Sequence, residues 1–208
     1  MAPPYLGAPP VAGVERLLRG RRGYVCSVVL KGGLPTARSK AEMAVDASTF
    51  KAAMGRFPSG VTVITVHSDE GDYGMTASAF CSLSIDPPLI LVCVNKGTTT
   101  HARLEQAGSF AVNLLDASQK AASNQYAGYG DKPQDAFPDA SPRASHSGAP
   151  LLEGALAWLD CAKHAAHDGG DHTIFVGLVE DATVFGKRNS LDPLLYAAGR
   201  YRSLGKQL

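Results

Sequence analysis

The chain has few of the features that mark a membrane protein or a disulfide-stabilised secreted domain. Its longest purely apolar run is LILVCV, residues 89–94, far below the roughly 20 residues of a membrane-spanning helix. Only 4 cysteines occur among 208 residues, without Cys-x-x-Cys spacing. Most of them lie in apolar segments, where cysteine is usually a small buried side chain. We therefore expect a globular, cytoplasmic protein with reduced thiols and no membrane span.

The common nucleotide, hydrolase and zinc motifs are also missing. The chain contains no Gly-x-Gly-x-x-Gly, no Walker phosphate loop, no Gly-x-Ser-x-Gly and no His-Glu-x-x-His, which excludes the familiar Rossmann, P-loop, serine-hydrolase and zinc-protease sites. Residues 46–208 hold 13 Lys and Arg against 17 Asp and Glu. A nucleic-acid-binding core normally carries a clustered basic face, so we expect no nucleic-acid partner.

The sequence divides into an N-terminal extension and one domain. Residues 1–45 are rich in Pro, Gly and Arg and show no sustained helical or strand period, which predicts a poorly ordered extension. From residue 46 the pattern sharpens, and Phe50, Met54 and Phe57 recur at helical spacing before Pro58. We therefore place a single domain over residues 46–208.

Most of this domain has the alternating, β-branched pattern of strands. The strand-like segments are VTVITVH, YGMTASAFCSLSI, LILVCVN, SFAVNLL, ALAWLDCAKHAAH, HTIFVGLVEDATVF and PLLYAAGRYRSL. Two short helices are expected between them, one capped by a threonine hydroxyl in TTTHARLEQAG and one capped by Asp116. Many strands with short connections predict a mainly β fold, an antiparallel barrel with a few flanking helices.

The segment HDGGDHTIFVG, residues 167–177, allows three interpretations. His167, Asp168, Asp171 and His172 are metal-ligand types. An Asp–His couple could instead serve acid/base chemistry. A tight type I′ or II′ turn, with Gly169 and Gly170 at positive φ, needs neither. The local sequence does not decide among these three interpretations.

Two further segments have the composition of a ligand site. GMTASAFCSLSIDPPL carries several small hydroxyl residues that leave room for a flat ligand, although a half-exposed strand would look the same. In NKGTTTH, Lys96 and a run of threonines precede a predicted helix, where free N–H groups can bind an anion. A plain capping run is the alternative there.

The ordered set of these blocks resembles the flavin reductase-like family. FKAAMGRFPSGVTVITV, GMTASAFCSLSIDPPLILVCVNKGTTTH, FAVNLL, GALAWLDC, HDGGDHTIFVG and PLLYAAGRYRSL follow one another over about residues 47–204. The resemblance implies an FMN-binding, Greek-key-like split β-barrel that binds FMN or FAD and forms a homodimer. It also implies an enzyme, an NAD(P)H-dependent flavin reductase that supplies reduced flavin to a partner monooxygenase.

The same resemblance implies the site residues, with Lys96 added here from its charge. The flavin is expected to contact Asp72, Tyr73, Gly74, Met75, Thr76, Ser78, Ala79, Cys93, Val94, Asn95, Lys96, Thr99, Thr100, Gln125 and Tyr126. The nicotinamide is expected at Gly170, Asp171, His172 and Thr173, with His172 as the catalytic residue and no metal. Relatives often carry Arg-Phe-Ala where this chain has Gln125-Tyr126-Ala127, which leaves FMN or FAD open.

Hydride transfer between two bound cofactors needs juxtaposition more than side-chain chemistry. The expected reaction is therefore NADH or NADPH oxidation coupled to flavin reduction, and the hairpin has no Arg for a 2′-phosphate, which favours NADH. The alternative is a non-enzymatic flavin- or haem-binding split-barrel carrier or sensor, which would have no use for the Gly-Asp-His hairpin.

Overall fold

The computed structural model describes residues 45–130, 132–141, 145–186 and 192–205. The predicted N-terminal extension falls outside these ranges except for Val45. None of the helices in the described ranges is long and apolar enough to cross a membrane. The described elements are α1 (Ala47–Met54), β1 (Ser59–Gly60), β2 (Thr62–Ser68), β3 (Gly71–Ala77), β4 (Phe80–Ser84), β5 (Leu89–Asn95), α2 (Thr99–Gln106), β6 (Ser109–Leu114), a 3-10 turn (Ala117–Gln119), α3 (Lys120–Tyr126), β7 (Ala157–Gly169), β8 (His172–Val184), β9 (Leu195–Ala197) and β10 (Arg200–Arg202).

Seven of the strands form one antiparallel sheet in the order β3-β2-β6-β7-β8-β5-β4. Its two edge strands, β3 and β4, are consecutive in the chain and are joined only by Ser78 and Ala79. A flat sheet of this width would hold its edges about 29 Å apart at 4.8 Å per strand, a gap that two residues cannot span. The sheet must therefore curl until its edges meet, as a split barrel requires.

Two predicted strands are wrong, and the first concerns the edges of the sheet. YGMTASAFCSLSI was expected to be continuous, but it forms β3 and β4 at opposite edges of the sheet. The backbone N–H of Cys93, in β5, donates to the Ala79 carbonyl at 2.9 Å, so pairing with β5 begins where pairing with β2 ends. Local alternation cannot reveal this change of partner, because both strands have the same period.

The core lies inside the curled sheet. Ile64, Val92, Phe110 and Phe175 are fully buried within it. Strand β5 alternates between partly exposed and buried residues along its whole length. Its buried residues are Ile90, Val92 and Val94, and its partly exposed ones are Leu89, Leu91, Cys93 and Asn95. The second set gives β5 an outer face with an apolar part and a polar end.

The last segment is a hairpin and not the single strand that was predicted. β9 and β10 pair with each other, and β1 pairs with β9, in a separate three-stranded sheet. Ala198 and Gly199 have φ values of 51° and 74°, the positive angles of a type I′ turn. The dipeptide Ala198-Gly199 indicates such a turn only weakly, because alanine rarely occupies the left-handed region.

The predicted helices are present. Asp46 caps α1, accepting from the N–H groups of Ser48 and Thr49 at 2.8 and 3.0 Å. Asp116 caps the segment that leads into α3. The helix ends at Met54, so Phe57 lies beyond it. The apolar face of α1 is nevertheless exposed, with Phe50 at 55% and Met54 at 51%.

Candidate active site

A continuous outer face runs from β5 onto β8. Cys93 lies opposite Ile174, and Asn95 lies opposite His172. Directly opposite residues of an antiparallel pair project their side chains to the same face. The apolar residues around Cys93 and the polar tip at His172 are therefore parts of one surface, about two residues or 7 Å apart along the strands.

A cleft of about 440 Å³ lies over the apolar part of this face. One wall consists of the β4 and β5 residues Cys81, Leu91 and Cys93, with Ser78 and Ala79 at the β3–β4 junction. The volume falls within the range of about 300–1,000 Å³ that is typical of small-molecule sites. Burial raises the pKa of the Cys93 thiol, so this wall is neutral as well as apolar.

The opposite wall comes from the two ends of the described domain. Met54 and Phe57 of the α1 region and Tyr196 of β9 line it, together with the 197–199 turn. None of these residues was predicted to belong to the site. The available signal was the helical apolar stripe of α1, which a core helix would also show, so only the fold reveals that it faces a cleft.

The 167–177 segment is a two-residue hairpin turn between β7 and β8. Gly169 pairs with His172, which leaves Gly170 and Asp171 in the turn. Gly170 has φ +82° and Asp171 is not among the positive-φ residues, which is the type II′ pattern. The expectation of positive φ at Gly169 is wrong. Among the described residues, no three His, Cys, Asp or Glu side chains group as a metal site would require.

The hairpin fixes the orientation of one imidazole. His172 Nδ1 lies 2.7 Å from the Asp171 carboxylate, and the ring is partly exposed. This hydrogen bond and the charge of His172 hold the pKa of Asp171 below its ordinary value. With Nδ1 engaged, the Nε2 edge is the one left to face a ligand.

The hairpin is fastened to the turn between β5 and α2. The Lys96 backbone N–H donates to the Asp171 carbonyl at 3.0 Å, and the Lys96 ammonium pairs with the Asp168 carboxylate. That pair holds the pKa of Asp168 below its ordinary value. Lys96, predicted to face an anion, thus already has a carboxylate partner.

The threonine cap of α2 is Thr98, and its Oγ1 accepts from the His101 N–H at 3.2 Å. Thr99 is exposed on the first turn, whereas Thr100 is 1% exposed. Of the two threonines predicted to lie near a phosphate, only Thr99 therefore offers its side chain to solvent.

Most of β3 makes contacts away from the cleft. Tyr73 and Met75 pack against the barrel core, and Asp72 pairs with His67 at 2.6 Å. On the other face, Thr76 Oγ1 donates to the Ser123 carbonyl of α3 at 2.7 Å. A Cβ on Gly74 would lie 2.6 Å from the Tyr126 ring. The glycine is thus needed for close approach of α3.

Gln125 and Tyr126 hold a loop. The Gln125 amide donates to the carbonyls of Pro133 and Ala136 at 3.0 and 2.7 Å, and the Tyr126 ring stacks on Phe137 at 5.3 Å. Burial raises the pKa of the Tyr126 hydroxyl. Both side chains are nearly inaccessible, at 7% and 2% exposure, so their contacts give them a role in docking residues 133–137.

Comparison with known proteins decides the family. Residues 54–205 match the model of the flavin reductase like domain. The chain belongs to the flavin reductase-like family. It is 42% identical over 159 residues to an NADH-dependent FAD reductase of Streptomyces globisporus, a match covering 76% of this chain and 85% of that one. It is also 42% identical to the reductase component of a 4-hydroxyphenylacetate 3-monooxygenase of Thermus thermophilus, covering 74% of this chain and 95% of that one.

A solved flavin reductase has the same fold. The NADH:FAD oxidoreductase of Streptomyces globisporus, in complex with NAD and FAD fragments, superposes with a TM-score of 0.69 at 40% identity. The match covers 77% of this chain and 93% of that chain. The predicted family and the predicted mainly β fold are both confirmed.

The flavin reductase fold brings part of the predicted set together. Ser78, Ala79 and Cys93 line the cleft, and Asn95 and His172 continue the same face. The remaining predicted positions with contacts directed elsewhere are Asp72, Tyr73, Gly74, Met75, Thr76, Val94, Thr100, Gln125, Tyr126 and Thr173. Nicotinamide contact at Thr173 and flavin contact at the other positions stay predictions.

Proposed function

We propose that this flavin reductase oxidises NADH, reduces FMN or FAD, and supplies the reduced flavin to a partner monooxygenase. The observation that carries the proposal is the single outer face on which the apolar cleft at Cys93 adjoins the hairpin with His172. The names of the relatives support it, since they include NADH-dependent reductases and a monooxygenase reductase component.

The walls of the cleft suit a flat ring system. Leu91 and Cys93 contribute apolar lining from β5, and Met54, Phe57 and Tyr196 contribute further apolar and aromatic lining. Such walls exclude water and hold a planar ligand without competing hydrogen bonds. A bound flavin supplies the two-electron acceptor chemistry there.

The hairpin supplies orientation. Asp171 fixes the His172 ring, and Lys96 fixes Asp171 through its backbone N–H. Because Nδ1–H donates to the Asp171 carboxylate, Nε2 of the neutral ring can accept a hydrogen bond from the carboxamide N–H of a nicotinamide and keep it against the open side of the cleft. Rate acceleration then comes from holding two cofactors in contact.

The test is aerobic spectrophotometry of NADH and NADPH oxidation with catalytic amounts of protein, with and without FMN or FAD. We expect flavin-dependent oxidation, faster with NADH. Tight flavin binding without any oxidation of NADH or NADPH would contradict the proposal and favour a flavin-binding carrier or sensor.

We further propose that the protein is a homodimer. Phe50, Met54 and Phe57 of the α1 region are exposed apolar residues, two of which, Met54 and Phe57, also line the cleft. A second copy of the chain would cover them. Large exposed apolar patches on a globular domain commonly mark interaction surfaces.

A cytoplasmic location is likewise a proposal. Cys81, Cys93 and Cys161 are free thiols, and the proposed reaction needs a supply of NADH. Fractionation of cells that express the native protein tests this, and recovery outside the cytoplasm would contradict it.

A further inference from the structure

His101 is a buried histidine that the proposed chemistry does not use. It lies on the first turns of α2 and is 6% exposed. Its Nε2 lies 2.7 Å from Thr173 Oγ1, and its ring packs edge-on against Phe175 with the centroids 5.6 Å apart. Glu105 Oε1 is 3.7 Å from the same nitrogen. The imidazole therefore joins α2 to the beginning of β8.

Thr173 lies on the opposite face of β8 from its neighbour His172. Successive side chains of a strand point to opposite faces, and the exposures agree, since Thr173 is 8% exposed while His172 is partly exposed. Thr173 also pairs with Val94, which is fully buried. The hydroxyl thus points into the barrel, where His101 holds it.

The two faces of the hairpin are fastened to the same segment of chain. On the outer face, Lys96 contacts Asp168 and Asp171. On the inner face, His101 contacts Thr173. Both Lys96 and His101 belong to the turn and helix that follow β5. The side chains of Lys96 and Asp168 are 41% and 79% exposed, and exposed ion pairs contribute little to stability. The hydrogen bond between His101 and Thr173 is buried, so water does not compete for it.

We propose that His101 is a positioning residue, which holds Thr173 on the inner face of β8 and thereby aims His172 on the outer face at the cleft. The inference rests on the proposed function, because it assigns His101 to the binding of NADH. Both side chains are buried, and the Thr173 hydroxyl is bonded to His101, so the proposal needs no side-chain contact from either residue to a cofactor. Their effect on NADH passes through the orientation of His172.

Thr173→Val tests this proposal, because it keeps the shape of the side chain and removes the hydroxyl. We expect the KM for NADH, and the Kd for NADH from fluorescence titration, to rise about 3–10-fold, the equivalent of one lost hydrogen bond. The kcat and the Kd for flavin should stay within about twofold. Thr183→Val is the matched control, the same substitution near the far end of the same strand, and should change none of these values.

A double-mutant comparison separates positioning from simple destabilisation. If Thr173 acts through His172, Thr173→Val should weaken NADH binding in the natural chain and change it less than about twofold in the His172→Ala background. His101→Phe should have the same pattern as Thr173→Val. Equal losses in both backgrounds, or no loss in either, would overturn the proposal.

Different results would contradict the proposed function and the positioning role of His101. If the unaltered protein neither binds nor oxidises NADH, the proposed function is wrong and the role of His101 in it falls as well. If the unaltered protein does both and Thr173→Val behaves like Thr183→Val, only the positioning role is wrong. Hydrogen exchange of the 168–173 backbone supplies a readout without turnover, and we expect faster exchange in Thr173→Val.

Discussion

At the scale of single residues, the proposed role of His172 can be tested most directly. It shares a face with the cleft and is held by Asp171 at 2.7 Å. We expect His172→Ala to raise the KM for NADH about 5–10-fold, consistent with the loss of one hydrogen bond, with the flavin Kd nearly unchanged. Steady-state kinetics and flavin titration measure both. His164→Ala, which alters an exposed histidine of β7, is the control, and unchanged kinetics in His172→Ala would refute the role.

Gly170 is a second residue for which the structure predicts a specific effect of substitution on stability. Its φ of +82° is unfavourable for any residue with a Cβ, although nothing lies within 4 Å of the added atom. We expect Gly170→Ala to lower the free energy of unfolding by about 1 kcal/mol through backbone strain alone. Gly108→Ala also adds a Cβ into open space but without a positive φ. Chemical denaturation should show no loss for this control, and equal losses would contradict the explanation.

These residues also show what the sequence could reveal locally. The tight turn and the Asp116 cap are contacts between near neighbours, so the local sequence pattern could indicate them. An Asp–His couple was one of three interpretations that the sequence left open, and the structure shows the Asp171–His172 contact. Gly74 and Gln125 were expected at the flavin, and the structure gives them contacts with Tyr126 and with the 133–137 loop. The partners of Gly74 are distant in the chain, and no local pattern encodes them.

At the scale of elements, the docking of α3 on β3 depends on one glycine. A Cβ on Gly74 would lie 2.6 and 2.8 Å from two carbons of the Tyr126 ring. We expect Gly74→Ala to destabilise the protein by about 1–3 kcal/mol, as overpacking does. Adding Tyr126→Leu should recover part of that loss, because the smaller side chain makes room. Thermal denaturation measures the stability of the single and double variants. If the stability lost in the double variant equals or exceeds the sum of the losses in the two single variants, this packing is contradicted.

Elements with a clear period were predicted well, and changes of strand partner were not. β7 and β8 were expected from their alternation and their short turn, and the structure gives Ala157–Gly169 and His172–Val184. The division between β3 and β4 was missed, because closing the sheet requires a change of partner at Ser78 and Ala79. The β9–β10 hairpin was missed because its turn begins with an alanine at φ 51°.

At the scale of the whole molecule, the exposed face of α1 predicts association. No residue of α1 is buried, so Phe50→Asp should leave the fold of one chain intact while weakening a dimer that buries this face. We expect the natural protein to sediment as a dimer and Phe50→Asp to shift toward monomer, with Lys51→Ala as the control. A monomeric natural protein, or an unchanged dimer in Phe50→Asp, would contradict the placement of the interface.

The complete cleft also belongs to this scale. Its floor comes from β4 and β5, whereas its cover comes from α1 and the 196–199 segment near the other end of the chain. The family resemblance indicated the floor through Cys93 and Ala79. It gave no role to Met54, Phe57 or Tyr196, because their place in the site depends on the folded chain bringing residues 54–57 and 196–199 to the same cleft.

The most direct measurement is the visible absorbance of FMN or FAD mixed anaerobically with NADH and a catalytic amount of the protein. The cleft and hairpin on one face predict that the flavin absorbance bleaches in proportion to the NADH consumed, and that oxygen restores it. Flavin that binds the protein yet stays oxidised with both NADH and NADPH would contradict flavin reduction as the function of this site.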